Sequence, residues 1–270
     1  MTNQSTVVEP HTERRIFLAE VARIAPVTSH MVRITLTGSD LRQYESVGAD
    51  QFLYVFLPEA NGARPRVEHD FTWDDWRNLP PEERQVGRYY TVRYCRPEIG
   101  ELDLDFVLHG DGPATSWAAR AAPGDPVALW GPRYAYDPPP ATDLLILLAD
   151  ETGLPATGAI LESLSPSVRC RAFIEIRDRS AEQPLTSEGD VEITWLHRRD
   201  AASGSSLLDA VQSLDKPAAA NVYVWGGAEF NTMQDCRTHL HEARGLDNAR
   251  IRTVGYWRKD QEHALGRQKS

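Results

Sequence analysis

The sequence predicts two domains of different class: a six-stranded antiparallel β-barrel, followed by an open α/β domain with a parallel sheet. In the first half, short β-branched runs are bounded by turn residues, as in small barrels. In the second half, strands alternate with helices, and apolar runs such as residues 144–149 are unbroken, as in parallel sheets covered on both faces. A proline-rich break at residues 136–143 separates the two patterns, so we place the domains at 1–137 and 138–270.

The barrel strands follow in chain order. Residues 15–24 and 31–38 are rich in β-branched residues, and a third apolar run begins at Gln51. The long polar stretch 59–87 is expected to be an excursion before the strand that begins at Arg88. The next strand alternates, which predicts one core-facing side formed by Leu102, Leu104, Phe106 and Leu108. A proline–glycine turn then precedes the closing strand, with one short helix between the last two strands.

The second domain is expected to contain five strands and three helices. The strands are predicted at 143–150, 168–176, 191–196, 221–227 and 250–257. The helices are predicted at 153–164, 205–214 and 229–246.

Composition excludes several classes of function. The net charge of −10 disfavours non-specific binding to nucleic acid or to an anionic membrane. Residues 1–15 lack the apolar core of a signal peptide, and the longest apolar run is too short to span a bilayer, so a cytoplasmic location is expected. A monomer is expected as a separate prediction. The three cysteines form no CxxC, and no hydrolase or metal motif is present. We therefore predict no metal site and no catalytic acid or base.

Small residues precede the predicted short helix of the barrel. Gly110, Gly112 and Pro113 come before Thr115, Ser116 and Trp117. A helix start leaves backbone N–H groups free and suits a phosphate, and the two hydroxyl groups add donors. An ordinary helix cap is the alternative interpretation.

The strand RYYTVR is the second chemical motif. Alternation places Arg88 and Tyr90 on one side, where a guanidinium and an aromatic face suit a phosphate and a stacked ring. Thr91 is placed to donate a hydrogen bond to a ring nitrogen. An amphipathic edge strand is the alternative.

Together these motifs carry a resemblance. R-x-Y-T-x-R, then DFVLHG-D-GP-A-x-x-WA and PGD-x-V-x-L-x-GPR, resemble the siderophore-interacting protein family of flavin-dependent ferric-siderophore reductases. LADETGLPATGAILESL, VYVWGGAE and the late GYWR resemble the second domain of the same family, so the resemblance covers residues 15–258.

The resemblance implies a ferredoxin-reductase-like architecture, in which an FAD-binding barrel is joined to a nicotinamide-dinucleotide domain. Tyr90 would lie against the isoalloxazine, Thr91 would meet its reactive nitrogen region, and Arg88 would reach the diphosphate. The full set of implied cofactor-binding residues is Arg88, Tyr90, Thr91, Val92, Val107, His109, Thr115, Ser116 and Trp117.

The second domain lacks GxGxxG, but DETGLPA places a strand-to-helix turn where open α/β sheets bind ligands. The residues predicted to bind the nicotinamide nucleotide are Glu151, Thr152, Gly226 and Glu229. Trp257 is expected either to cover the flavin or to pack in the core. The resemblance also implies a basic cluster for the ferric siderophore in a cleft between the domains, which we assign to Arg133, Arg258 and Lys259.

The expected function is a cytosolic FAD enzyme that passes electrons from NADH or NADPH to Fe(III) in a siderophore, releasing Fe(II). Ferredoxin is the alternative electron donor. Two other functions remain open: an NAD(P)H:flavin or ferredoxin-type reductase of the same architecture, and a siderophore-binding module without redox chemistry.

Overall fold

The structure, a computed structural model, describes residues 14–59, 61–110, 112–198, 206–214 and 221–259. The chain divides into two compact units between Tyr134 and Ala135. Each unit has its own buried apolar core. Most of the N-terminal stretch interpreted above, residues 1–13, lies outside the described residues.

The first unit is a closed antiparallel barrel of six strands in the order β1-β2-β5-β4-β3-β6, which confirms the prediction. The strands are β1 (Arg15–Thr28), β2 (Met31–Thr37), β3 (Phe52–Phe56), β4 (Gly87–Arg96), β5 (Glu101–Val107) and β6 (Pro126–Arg133). The short helix α2 (Pro113–Ala118) connects β5 and β6, and the helix α1 (Trp73–Asn78) lies between β3 and β4.

The alternation predicted for β5 is present, and both of its faces are covered. Leu102, Leu104 and Phe106 are fully buried in the barrel core. Asp103 and Asp105 point the other way but are also buried. A carboxylate is buried at low cost only when it is paired, and arginines from neighbouring strands supply the partners.

The segment between β3 and β4 is rich in charged residues, but several of its aromatic side chains pack against the barrel. Phe71, Trp73 and Trp76 pack against an apolar cluster on the barrel that contains Phe56 and Trp130. Trp73 contacts Trp130 edge-on, with ring centroids 5.2 Å apart. A few aromatic side chains therefore anchor a segment that is otherwise charged.

The second unit is an α/β domain with a parallel sheet, again as predicted. Its strands are β7 (Leu144–Asp150), β8 (Arg169–Ile176), β9 (Asp190–His197), β10 (Val222–Glu229) and β11 (Ile251–Trp257). Its helices are α3 (Leu154–Ser163), α4 (Ser206–Ser213) and α5 (Phe230–Thr238), the last continuing as a π-helical turn over His239–Ala243. None of the helices that the structure describes is long and apolar enough to cross a bilayer.

The order of this sheet, β11-β10-β7-β8-β9, determines where a ligand is expected. The chain leaves β7 towards β8 on one side, and β10 later returns to the other side of β7. Such a reversal creates a crevice at the carboxyl ends of the two central strands. These are the ends at Asp150 and Glu229.

Candidate functional site

In the barrel unit, β4 presents the residues predicted to bind the flavin ring. Tyr90 is half-buried, and its ring centroid lies 4.0 Å from that of Phe106 in the core. Burial raises the pKa of Tyr90, while the nearby Arg88 opposes the rise. Arg88 itself is exposed and donates a hydrogen bond to the carbonyl of Gly87. The structure thus brings the predicted aromatic ring and guanidinium close together.

Buried polar atoms without partners mark the same region. Among the described residues, three buried side-chain polar atoms have no hydrogen-bond partner, and two of them, Thr91 Oγ1 and Trp117 Nε1, belong to the barrel unit. Thr91 is 5% exposed and Trp117 is 3% exposed. An unsatisfied buried polar group costs roughly 1–3 kcal/mol, so a ligand that pairs with these atoms would recover that energy.

The helix α2 follows the end of β5 and holds the predicted phosphate-binding residues. Thr115 Oγ1 donates to the carbonyl of Val107 at 3.4 Å, which joins the helix to the strand end. The added Cβ of an alanine at Gly110 or Gly112 would meet nothing within 4 Å, so the backbone here is openly accessible. Gly110 also has a φ of 58°, which favours glycine. The region is suited to close approach of a phosphate.

The remaining predicted cofactor residues differ in their surroundings. His109 is exposed, and Ser116 and Val107 are half-buried. Val92 is 2% exposed and belongs to the core of the barrel, so its side chain supports the site from inside.

Arg133 ends β6 and lies next to an aromatic ring that the sequence motifs did not single out. Its Nη1 atom donates to the Tyr89 hydroxyl at 3.3 Å, and its guanidinium is 6.0 Å from the Trp130 ring centroid. Tyr89 is 46% exposed, a high value for a large aromatic side chain. It escaped notice because strand alternation does not reveal how much of a ring its neighbours cover.

In the second unit, the buried carboxylate of Asp150 organises the predicted nucleotide turn. Its Oδ1 accepts from Thr152 N at 2.8 Å, Thr152 Oγ1 at 2.5 Å and Gly153 N at 3.3 Å. Its Oδ2 accepts from Glu229 N at 3.1 Å and from Trp257 Nε1 at 2.7 Å. Burial raises the pKa of Asp150, and the bonds from Thr152 and Trp257 oppose the rise. One side chain therefore connects the ends of β7, β10 and β11.

Sequence reasoning missed Asp150, although a signal was present. A carboxylate at the end of an unbroken apolar strand is rarely left unpaired when buried. Its partners were not recognisable, because Glu229 and Trp257 follow it by 79 and 107 residues.

Glu151 is engaged in an ion pair at the same edge of the sheet. It accepts hydrogen bonds from Arg177 N at 2.6 Å and from the Arg198 guanidinium at 2.5 Å. Arg198 also contacts Glu175 at 3.2 Å. Burial alone would lower the pKa of Arg198, but the two carboxylates raise it above its ordinary value. Glu151 therefore ties the ends of β7, β8 and β9 together.

Glycines allow the turn after β7 to approach β10. A Cβ added at Gly153 would lie 1.9 Å from the carbonyl oxygen of Gly227. Gly226 is buried within β10, where an added Cβ would lie 2.8 Å from Met233 Sδ. Gly153 and Gly226 thus support close packing of backbone and helix.

The end of β10 and the end of β11 hold the other predicted residues. The Glu229 carboxylate caps α5 by accepting from Thr232 N at 2.9 Å. The Arg258 guanidinium lies 3.5 Å from the Phe230 ring centroid, and Lys259 is exposed. The predicted common cluster of these cations with Arg133 stays a prediction.

Comparison with known proteins first defines the class. A ferredoxin reductase of carbazole 1,9a-dioxygenase shares the fold, with a TM-score of 0.65 and 12% identity, over 92% of this chain and 71% of that one. The ferredoxin-reductase-like architecture is therefore confirmed. A siderophore utilization protein from T. fusca is more similar, with a TM-score of 0.80 and 36% identity over 94% of this chain and 96% of that one.

Sequence comparison then defines the family. The family model for a siderophore-interacting FAD-binding domain matches residues 20–136, and the model for siderophore-interacting protein matches residues 142–260. An uncharacterized protein of Mycobacterium tuberculosis is 32% identical over 94% of both chains. An NADPH-dependent ferric-chelate reductase of Escherichia coli is 28% identical over 88% of this chain and 91% of its own. The chain belongs to the siderophore-interacting protein family.

The barrel fits FAD on its own structural features. An exposed guanidinium at Arg88, an accessible glycine backbone before α2, and the unpaired atoms of Thr91 and Trp117 form a donor set for a ring and a diphosphate. FAD is therefore the cofactor of this domain, in agreement with the matched FAD-binding family model.

Proposed function

We propose that this protein is a cytoplasmic FAD-dependent reductase that transfers electrons from NAD(P)H to Fe(III) in a ferric siderophore and so releases Fe(II). One NAD(P)H supplies two electrons, so two ferric chelates are reduced, and NAD(P)⁺ and one proton are formed. The FAD, when bound, supplies the hydride-accepting and electron-donating chemistry. The protein supplies binding and orientation.

The unpaired Thr91 hydroxyl carries this proposal. It is buried on the strand that also presents Tyr90, and the described residues leave it without a partner. We assign Tyr90 to stacking on a flat ring, and Thr91 to a hydrogen bond with the polar edge of that ring. Arg88 and the backbone before α2 are assigned to the diphosphate.

The nucleotide is assigned to the carboxyl ends of β7 and β10. Asp150 holds the turn at Thr152 and the start of α5 at Glu229 in one arrangement. Open α/β sheets bind ligands at such a reversal of strand order. The name of the Escherichia coli relative supports NADPH as the donor.

The test is an anaerobic absorbance trace of the purified, FAD-loaded protein. NADH, NADPH and then a ferric siderophore are added in turn, and Fe(II) is trapped with a colorimetric chelator. We expect the flavin absorbance to bleach with NADPH and to return when the ferric chelate is added. Bleaching without Fe(II) formation would instead favour a reductase with another acceptor, and a protein that stays colourless after FAD addition would favour a binding module.

Variants of Thr91 connect this test to the structure. Thr91→Val removes the hydroxyl and keeps the shape, and Thr91→Ser restores the hydroxyl. We expect the valine variant to bind FAD more weakly by about 1–2 kcal/mol, with recovery in the serine variant, as for loss of one hydrogen bond. Equal FAD dissociation constants for wild type and the valine variant would show that the hydroxyl does not contact the flavin.

A further inference from the structure

We propose that Arg177 and Arg179, which follow β8, bind the 2′-phosphate of NADPH, so that the protein selects NADPH over NADH. The inference rests on the proposed reductase function and adds the residues that distinguish its two nucleotides. It follows from the position of these arginines at the carboxyl edge of the sheet, from the engagement of the neighbouring carboxylates, and from the exposure of both guanidinium groups.

The two arginines stand where dinucleotide-binding sheets read the ribose. β7 and β8 are parallel neighbours joined by α3, and Asp150 at the end of β7 is paired with Glu175 of β8. About 20 residues beyond the first strand-to-helix turn of such a unit, an acidic residue binds the 2′-hydroxyl of NAD, or an arginine accommodates the 2′-phosphate of NADP. In this chain that stretch contains Glu175, Arg177 and Arg179.

The acidic residue of this stretch is not available to a ribose hydroxyl. Glu175 is 8% exposed, and its two carboxylate oxygens accept from Arg198 Nε and from Leu207 N, each at 3.2 Å. The same guanidinium also pairs with Glu151, so one arginine neutralises the carboxylates that end β7 and β8. A 2′-phosphate bound there would therefore meet no uncompensated charge from these two acids.

Arg177 and Arg179 present their charges to solvent. The Arg177 side chain is 66% exposed, and its ion pair with Asp178 is long, at 3.9 Å between Nε and Oδ2. Arg179 is also exposed, and over the described ranges its side chain makes no hydrogen bond or ion pair. Both guanidinium groups can therefore donate hydrogen bonds to a ligand.

The backbone that carries the two arginines is fixed. Arg177 N donates to Glu151 Oε1 at 2.6 Å. Asp178 Oδ1 accepts from Ser180 N at 2.8 Å and so caps the short 3₁₀ turn Arg179–Ala181, whose last residue is 4% exposed. Because this turn is already ordered, little conformational freedom of the backbone is lost when a ligand binds.

The charge of the turn favours a phosphate, although the chain as a whole carries a net charge of −10. Its acidic side chains are already engaged, since Asp178 forms the cap and Glu182 lies 2.8 Å from Nε2 of His197. A phosphate monoester carries about two negative charges near pH 7 and accepts charge-assisted hydrogen bonds from arginine. NADH offers a neutral hydroxyl at the same atom, so the two arginines discriminate by charge.

Binding of oxidised nucleotides to the FAD-loaded protein, measured by calorimetry, tests the site without turnover. NADP⁺ and NAD⁺ are titrated, followed by 2′,5′-ADP and 5′-AMP, which differ only by the 2′-phosphate. The variants are Arg177→Gln and Arg179→Gln. Arg169→Gln is the matched control, because it removes the same charge from an exposed arginine at the opposite end of the same strand.

We expect each variant to weaken the binding of NADP⁺ and 2′,5′-ADP about 10-fold. This is the lower end of the range for a hydrogen bond to a charged group, because both side chains are exposed. The loss should be greater at low salt than at high salt. NAD⁺ and 5′-AMP should change less than about 2-fold, and the control should leave all four ligands unchanged. FAD content should be the same in every variant.

Equal losses for NAD⁺ and NADP⁺ in both variants would overturn the inference, because the arginines would then maintain the turn without reading the ribose. Unchanged NADP⁺ affinity, or a wild type that binds 5′-AMP as tightly as 2′,5′-ADP, would overturn it as well. Failure of the reductase proposal looks different, because the four ligands would bind as expected while NADPH yielded no Fe(II) from a ferric chelate.

Discussion

Replacing Asp150 by alanine tests whether one carboxylate maintains the nucleotide half of the molecule. The change removes the acceptor of five hydrogen bonds, from Thr152, Gly153, Glu229 and Trp257. Asp150 is 3% exposed, so water cannot easily replace the lost oxygens. The donors at Gly153 and Glu229 are also buried and would be left without an acceptor.

The expected destabilisation follows from these contacts. A hydrogen bond to a charged group contributes about 1.5–3 kcal/mol, but burial of the charge itself offsets part of that gain. The bonds share one acceptor and are not additive, so we expect a loss of about 3–5 kcal/mol, the range for breaking a buried charged network. That is a large fraction of a typical stability of about 5–15 kcal/mol.

The assay is urea unfolding, followed by tryptophan emission and by flavin release. Two signals are needed because two domains do not necessarily unfold together. Asp143→Ala is the control, because Asp143 precedes β7 at its opposite end, is exposed, and its carboxylate accepts hydrogen bonds only from Asn221 among the residues described. We expect the control to lose less than about 1 kcal/mol. Equal midpoints for the Asp150 and Asp143 variants would refute the reasoning.

Three further predictions follow from single contacts. Gly153→Ala should lower stability by about 1–3 kcal/mol, because the new methyl group would overlap the Gly227 carbonyl, and a lower Tm would show it. Tyr90→Ala should weaken FAD binding by about 1–3 kcal/mol, measured by equilibrium titration, and an unchanged dissociation constant would place the ring elsewhere. The hydrogen bond from Arg23 lowers the pKa of Glu101 from 4.5 to about 2. The ionised Glu101 therefore stabilises the fold fully above pH 4.5, and this stabilisation is lost as the pH falls towards 2. In Glu101→Gln, the free energy of unfolding, measured by urea titration at several pH values, should depend less on pH in that window.

Local patterns were sufficient to predict the fold. The alternation of Leu102, Leu104 and Phe106 depends on the two-residue period of a strand, and these side chains are buried as expected. The helix that begins at Pro113 follows small residues and has this proline at its first position, where proline favours a helix start. Periodicity and turn chemistry belong to neighbouring residues, so they can be recognised without knowing the rest of the structure.

The residues of the candidate sites differ in whether the sequence alone could reveal them. The motif around Tyr90 and Thr91 could be recognised because its residues are adjacent in one strand. The partners of Asp150 could not, and neither could the contact between Tyr89 and Arg133, which are 44 residues apart.

The sequence by itself determined the two domain classes and the order of their elements, and it carried the motif that we assign to the flavin. The tertiary structure alone decided that Asp150 joins three strand ends, that Glu151 is engaged by Arg198, and that Tyr89 remains exposed beside Arg133. The physical reason is that a hydrogen bond or an exposed face depends on which distant segments are brought together. That proximity follows from barrel closure and strand order, which no local pattern contains.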